Sequence, residues 1–301
     1  MFKSFARHRP AASIGLSSRS PFFLKMAPVD LHVAVHQNPA GATGTVIFIC
    51  GWPDLPENVF KNQFGLFPTH KIVLMALPYY HQGEMSRPGW SFGEASMREL
   101  GDALKRAVDR VNGPTTLPAD RAVLIAHDWG AFLAWDLVMR YPGTVSKYIA
   151  LDVTPFLTRT LKAAILILAY QYTLIFAYLL PTFLGNLVTR FVARVFKAPG
   201  APATIHADMN FVYGRLHYSM IVDKTQRLPP PPKGWVPTVP VLYMYGTRKP
   251  FLFHNQTVLK TLENNGGKWA AFDGGHWFFT TSRHVEAVNR EIRGFLAPAK
   301  L

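Results

Sequence analysis

The apolar residues of this chain fall into short runs separated by stretches with helical spacing. Residues 31–35 and 45–50 alternate or run apolar and predict two early strands, joined by a Pro-Ala-Gly-Ala turn. Residues 72–77 predict a third, closed by Pro78. In 93–112, Met97, Leu100, Leu104, Val108 and Val111 recur at helical spacing, and Asn112-Gly113 marks a stop. A strand over 122–127, a helix over 130–140 stopped near Pro142-Gly143, and a strand over 148–153 follow. Residues 239–245 and 269–272 predict two further strands, and 283–296 a closing amphipathic helix. Short apolar strands alternating with helices argue for an α/β protein whose mainly parallel sheet is covered on both faces. No internal repeat is visible.

The alternation breaks at 155–236, where the pattern is helical only, and the exit over 228–240 holds six prolines, a stiff linker. This divides the chain into a core of 30–154 and 237–298, an inserted helical cap of 155–236, and an N-terminal segment of 1–29. Within the insertion, 163–189 is 27 residues without a formal charge, long enough to span a bilayer. Pro181 breaks the run and Gln171 and three tyrosines interrupt it, so a buried lid helix is expected. Peripheral membrane contact through the cap is the other reading.

Composition adds limits. With 301 residues, 49% hydrophobic and 17% charged, the chain can bury a large core. The net charge is +14, of which five basic residues lie in 1–29 with no acid before Asp30. Basic runs and basic-aromatic repeats are missing elsewhere, so charge does not indicate a nucleic-acid partner. An anionic membrane surface remains a candidate. The single cysteine, Cys50, excludes an internal disulfide and fits a reducing compartment. Residues 1–29, rich in Arg and Ser, resemble an organelle transit peptide, with a plain tail as the alternative. The chain finishes Ala299-Lys300-Leu301, a close variant of the Ser-Lys-Leu address, which predicts a peroxisomal import receptor as partner. Mitochondrion and cytosol are the alternative locations.

The chemistry centres on His127-Asp128-Trp129-Gly130-Ala131. An aliphatic run stops at His127 and a helical pattern begins at Gly130, with small residues at 126 and 130 on either side of Asp128. Such a turn pushes one side chain out at the top of a parallel sheet, as in a nucleophile elbow. A carboxylate at the tip is already ionised and suits displacement at a saturated carbon, leaving an alkyl ester on the enzyme. A base is needed only to activate water against that ester, and His276, in Gly274-Gly275-His276-Trp277 after the last strand, is the candidate. The ester oxyanion needs two facing amides, those of Trp129 and of Trp52 in Cys50-Gly51-Trp52-Pro53. This chemistry needs no cofactor and no metal.

His-Asp-Trp-Gly-Ala, Gly-Trp-Pro-Asp and Gly-Gly-His-Trp, in this order, resemble the epoxide hydrolase branch of the α/β-hydrolase superfamily and its near relatives, the haloalkane dehalogenases. The resemblance covers most of 30–298. It implies an α/β-hydrolase fold with a mainly parallel eight-stranded sheet, and a cap donating two tyrosine hydroxyls that protonate the epoxide oxygen. Tyr170 or Tyr172, and Tyr213 or Tyr218, are the candidates, with Tyr172 and Tyr213 preferred. Two positions depart from the family pattern. Cys50 stands where a histidine is usual, and Lys249 follows strand 239–245 where an aspartate usually orients the catalytic histidine. Lysine cannot accept the imidazole N–H. Asp152, at the end of strand 148–152, is the expected substitute; Asp273 is too near His276 in sequence, and His254 reads as structural.

Three functions compete at this level. The first is a hydrolase opening an apolar, lipid-derived epoxide to a diol. The second is a dehalogenase in which the Trp52 and Trp129 indole N–H groups cradle a halide. The third is a catalytically impaired lipid-binding relative, in which Asp152 points away from His276.

Overall fold

Strand β2 (Thr45–Ile49) divides its side chains by parity. Val46 and Phe48 enter one buried cluster, Ile47 and Ile49 the other. A central strand covered on both faces has this property. The computed structural model describes residues 29–81, 95–114, 116–156 and 160–297. Apart from Val29, both expected targeting segments, 1–29 and 299–301, lie outside the described residues.

Around β2 run β1 (His32–Gln37), β3 (Lys71–Ala76), β4 (Val123–His127), β5 (Lys147–Leu151), β6 (Val241–Gly246) and β7 (Lys268–Phe272). The order is β1-β3-β2-β4-β5-β6-β7, parallel except where β1 pairs antiparallel with β3. Among the described residues the sheet thus has seven strands, not eight. They are the seven apolar runs of the sequence; the eighth strand came with the resemblance and has no such run behind it.

Helices α1 (Pro56–Val59), α2 (Met97–Asn112), α3 (Trp129–Arg140), α4 (Leu161–Leu179), α5 (Thr182–Val195), α6 (Phe211–Ile221), α7 (Gln256–Asn264) and α8 (Ser282–Leu296) complete the described fold. Leu100 and Leu104 of α2 and Leu133 and Leu137 of α3 cover one face of the sheet, and Val288, Ile292 and Phe295 of α8 cover the other. The second helix starts at Met97, because Ser96 and Glu99 close a reciprocal capping box there. Its partner α3 is tied to it by Arg140, whose Nε donates to both oxygens of Asp136 at 2.8 Å and whose Nη1 donates to Asp102 at 2.7 Å. Helix α7 was not foreseen.

Helices α4, α5 and α6 fill the insertion between β5 and β6. The first two form a tight pair: a methyl group at Gly185 would come within 2.3 Å of the Ala177 carbonyl oxygen. The expected buried lid helix is only half buried. Ala163, Gln171, Leu174, Ala177 and Tyr178 face inward, whereas Leu161, Ile165, Leu168, Tyr172 and Phe176 are exposed. A helix pair laid on a core has one side against protein, and an all-apolar sequence leaves its other side apolar as well.

The elbow depends on backbone approach. A methyl group at Gly130 would lie 2.7 Å from the Ile49 carbonyl oxygen, so α3 starts hard against the end of β2. Gly130→Ala is expected to lower stability by about 1–3 kcal/mol through overpacking. Gly294→Ala, on the exposed side of α8 with nothing within 4 Å, should raise it by about 0.5–1 kcal/mol. Urea unfolding of the two variants checks both signs.

Candidate active site

The carboxylate of Asp128 sits between β4 and α3 at φ 53°, and Asp152 follows β5 at φ 71°. Both are left-handed conformations that a non-glycine residue adopts at a cost of order 1–3 kcal/mol. In each case the turn aims a carboxylate at the loop carrying His276. That loop follows β7 and is held to the end of β6: Arg248 N–H donates to the Gly274 carbonyl at 2.8 Å, and a methyl group at Gly246 would meet the Gly275 carbonyl at 2.1 Å.

His276 therefore stands between two carboxylates. Its Nε2 is 3.3 Å from Asp128 Oδ1, and its Nδ1 hydrogen-bonds Asp152 Oδ2. The other Asp152 oxygen accepts from Gly246 N–H at 3.0 Å and from Lys249 Nζ at 2.5 Å. So Asp152 does orient the imidazole, and Lys249, which cannot, neutralises Asp152 instead. The third sequence-level reading required Asp152 to point away from His276, and it does not.

The electrostatics follow from this array. Burial alone would raise the Asp152 pKa, but Lys249 and His276 outweigh it and hold the carboxyl well below the usual range. Burial lowers the Lys249 pKa, with Asp152 opposing. For His276, burial favours the neutral ring, yet the Asp152 charge and the hydrogen bonds the ring donates to both carboxylates outweigh it and push the pKa up to about 9. At neutral pH the ring is an imidazolium bridging Asp128 and Asp152.

The two oxygens of Asp128 differ. Oδ1 faces His276, while Oδ2 is buried with no hydrogen-bond partner among the described residues. Oδ2 lies under Gly51: a methyl group there would come within 2.2 Å of it and 2.3 Å of the Trp129 amide nitrogen. Gly51 thus lets its loop pass close against both the carboxylate and the Trp129 amide. Trp52, the next residue, is 3% exposed.

A cavity of about 460 Å³ opens over this array, lined by Trp52, Asp128, Tyr170, Phe196, Tyr213, Phe253 and His276 among others. Tyr213 is where the sequence placed it. Tyr172 is not: it is 49% exposed and packs on His217 at a ring-centroid distance of 4.8 Å. Tyr170 takes its place, 5.9 Å from the Tyr213 ring and perpendicular to it. Residues two apart on a helix point about 200° apart, so only one of the pair can enter the cavity. Burial first, then neighbouring negative charge that includes Asp128, raises both phenol pKa values, so both hydroxyls stay protonated. Tyr218 lies instead beneath the Arg215 guanidinium.

The Trp52 indole N–H is committed: Nε1 donates to Asn210 Oδ1 at 2.7 Å. The Trp129 ring meets the Tyr213 ring edge-on, with centroids 5.3 Å apart. Asp273 pairs with Arg248 and Arg283 at the surface, away from His276. His254 hydrogen-bonds the Tyr243 hydroxyl at 3.0 Å, a structural contact, and the Cys50 thiol donates to the Asp54 carbonyl at 3.2 Å.

Two supporting residues escaped sequence reasoning. His127 is fully buried, which drives its pKa well down; as a neutral ring its Nε2–H donates to the His276 carbonyl at 3.2 Å. Asp54 is pushed up to about 7 by burial and accepts from the Trp277 indole at 2.5 Å. Their signal was position, one beside the nucleophile and the other in the Gly-Trp-Pro-Asp loop. Among the described residues no group of His, Cys, Asp and Glu is arranged to hold a metal ion.

The profile of the α/β hydrolase family matches residues 46–291. Among curated proteins the chain is similar to the epoxide hydrolase srdG of Neurospora crassa, 32% identical over 110 residues, which are 36% of this chain and 30% of that protein. It is also similar to epoxide hydrolase 1 of Caenorhabditis elegans, 25% identical over 154 residues, or 51% and 34% of the two chains. The chain thus spans about a third of the length of these relatives. Among solved structures it superposes on a Bacillus megaterium epoxide hydrolase in complex with an inhibitor, with TM-score 0.63, 18% identity and coverage of 88% and 96%. A haloalkane dehalogenase variant from Bradyrhizobium elkanii superposes with TM-score 0.54, 19% identity and the same coverage, 88% and 96%. Sequence profile and architecture agree: this chain belongs to the α/β hydrolase family.

Proposed function

We propose that this protein hydrolyses an apolar epoxide to a diol. The observation that carries this reading is the pairing of Asp128 and His276 with two buried, protonated tyrosine hydroxyls across one cavity. Asp128 Oδ1 attacks an epoxide carbon, the ring C–O bond breaks, and Tyr170 or Tyr213 gives its proton to the departing oxygen. An alkyl ester and a tyrosinate result. Burial makes that tyrosinate a far stronger base than imidazole, so it recovers a proton from the His276 imidazolium. Ester formation has also removed the charge of Asp128, one of the two anions that held that proton.

Neutral His276 then accepts a proton from water through Nε2 as the water attacks the ester carbonyl. The oxyanion forms on Oδ2, which has no hydrogen-bond partner among the described residues and is left for the Trp129 and Trp52 amides as the proposed donors. Collapse releases the diol with the imidazolium proton, and the Asp128 carboxyl returns its own proton to His276, restoring the starting charges. Epoxide and water in, diol out: the protons balance.

The dehalogenase reading is weaker because the Trp52 indole N–H, one of the two donors it needs for a halide, is taken by Asn210. An apolar substrate is supported by the Trp52, Phe196, Phe253 and Trp277 walls.

Incubating His276→Gln with a panel of small epoxides should trap the ester, read by peptide mass spectrometry as an adduct on Asp128; no adduct with any epoxide sinks the proposal. Tyr170→Phe and Tyr213→Phe should each lower kcat for epoxide opening by about 10²-fold or more, while Tyr172→Phe stays near wild type. Equal loss at all three positions would contradict the assignment of the acids. Removing the cation in Lys249→Gln leaves the Asp152 charge unopposed and makes His276 a stronger base. Since His276 must be neutral to activate water, the acid limb of the kcat–pH profile should move to higher pH, by about one unit; a shift to lower pH would contradict the role given to Lys249.

A further inference from the structure

Helices α4 and α5 leave a row of large apolar side chains exposed along their outer sides, the kind of surface that marks an interaction site. On α4, Leu161, Ile165, Leu168, Tyr172 and Phe176 are between 44% and 79% exposed. On α5, Phe183, Leu187, Phe191 and Val195 recur every fourth residue and are all at least 59% exposed. These are spacings of three and four, which keep a stripe on one side of each helix. Charge accompanies the stripes. Residues 155–236 contain nine Lys and Arg against two acids, Asp208 and Asp223, and Lys162, Arg194 and Lys197 are exposed on or just beyond the same two helices.

We propose that this face of the helical cap docks on an anionic lipid surface, with α4 and α5 lying in the headgroup layer. An apolar stripe flanked by cations is what binds such an interface, through buried apolar area and attraction to anionic lipid together. A second copy of the chain is disfavoured as occupant, since two such faces carry like charge. Spanning is disfavoured too. Helix α4 is long and apolar enough to cross a bilayer, with a mean hydropathy of 1.5. Its inner side, however, holds Tyr170 in the cavity and hydrogen-bonds Gln171 to His217 at 2.8 Å.

The α5 stripe ends at the site. Val195 and Phe196 line the cavity that contains Asp128 and His276, so docking sets the cavity mouth against lipid. An apolar epoxide concentrated in the bilayer then enters without crossing water. This consequence rests on the hydrolase reading, whereas the docking does not.

Flotation of the full-length protein with phosphatidylcholine vesicles, with and without phosphatidylserine, tests the proposal. Wild type should float with the serine-containing vesicles and less so as salt rises. The triple variant Phe183→Ser/Leu187→Ser/Phe191→Ser should bind about tenfold more weakly or worse, while keeping its circular dichroism and its turnover of a small water-soluble epoxide. If that variant does not fold, Lys162→Glu/Arg194→Glu serves, with the same expected loss. No flotation at low salt, or variants that float like wild type, overturns the proposal. Self-association of the wild type without flotation, abolished in the variant, overturns it in favour of a second copy. Flotation without turnover of any epoxide leaves docking intact and removes the hydrolase reading.

Discussion

The site rests on one fully buried carboxylate. Asp152 is 0% exposed, and an ionised group in that position is tolerable only if its charge is met at close range. Lys249, Gly246 N–H and His276 meet it from two sides. Each contact then does something besides solvating the charge. The lysine moderates how strongly Asp152 pulls on the imidazole, the amide fixes the end of β6, and the imidazole is locked with Nε2 toward Asp128. Removing one of them leaves the buried Asp152 charge less compensated, whereas removing Asp152 itself leaves the imidazole without a fixed orientation.

Backbone geometry supplies what electrostatics cannot. Two carboxylates from adjacent parallel strands converge on one ring only because both lie at positive φ just past the strand ends. The close approaches at Gly51, Gly130 and Gly246 let the three loops pack without side chains between them. This localises the strain at the strand ends and keeps the strands regular. His127 and Asp54 then hold the His276 segment from below, one through its carbonyl and the other through Trp277.

Much of this was legible in the sequence because it depends on local pattern. The seven apolar runs, the small residues around Asp128, and Gly-Gly-His-Trp after the last strand each carry their own signal. What was not legible depends on tertiary phase. Tyr170 and Tyr172 stand on either side of Gln171 in a helix that is apolar nearly all round, so no polar face marks which one turns inward. Lys249 read only as an acid missing from its usual place, because a sequence shows that lysine cannot accept the imidazole N–H. It does not show that β5 and β6 are neighbours, which brings the lysine to the relocated acid. The eighth strand, imported with the resemblance where the pattern offered seven, is missing among the described residues.

The same apolar helix that hid the phase of its tyrosines also answers why its outer side is apolar. A lid needs one oily face toward a cavity; it gains nothing in water from a second. Such a face along both α4 and α5, beside an excess of cations, is what the proposed docking on anionic lipid explains. The α5 stripe reaches Val195 at the cavity, so the outer face adjoins the site. Under the proposed docking the insertion has two solvents, protein beneath and lipid above, and its uniform hydropathy serves both.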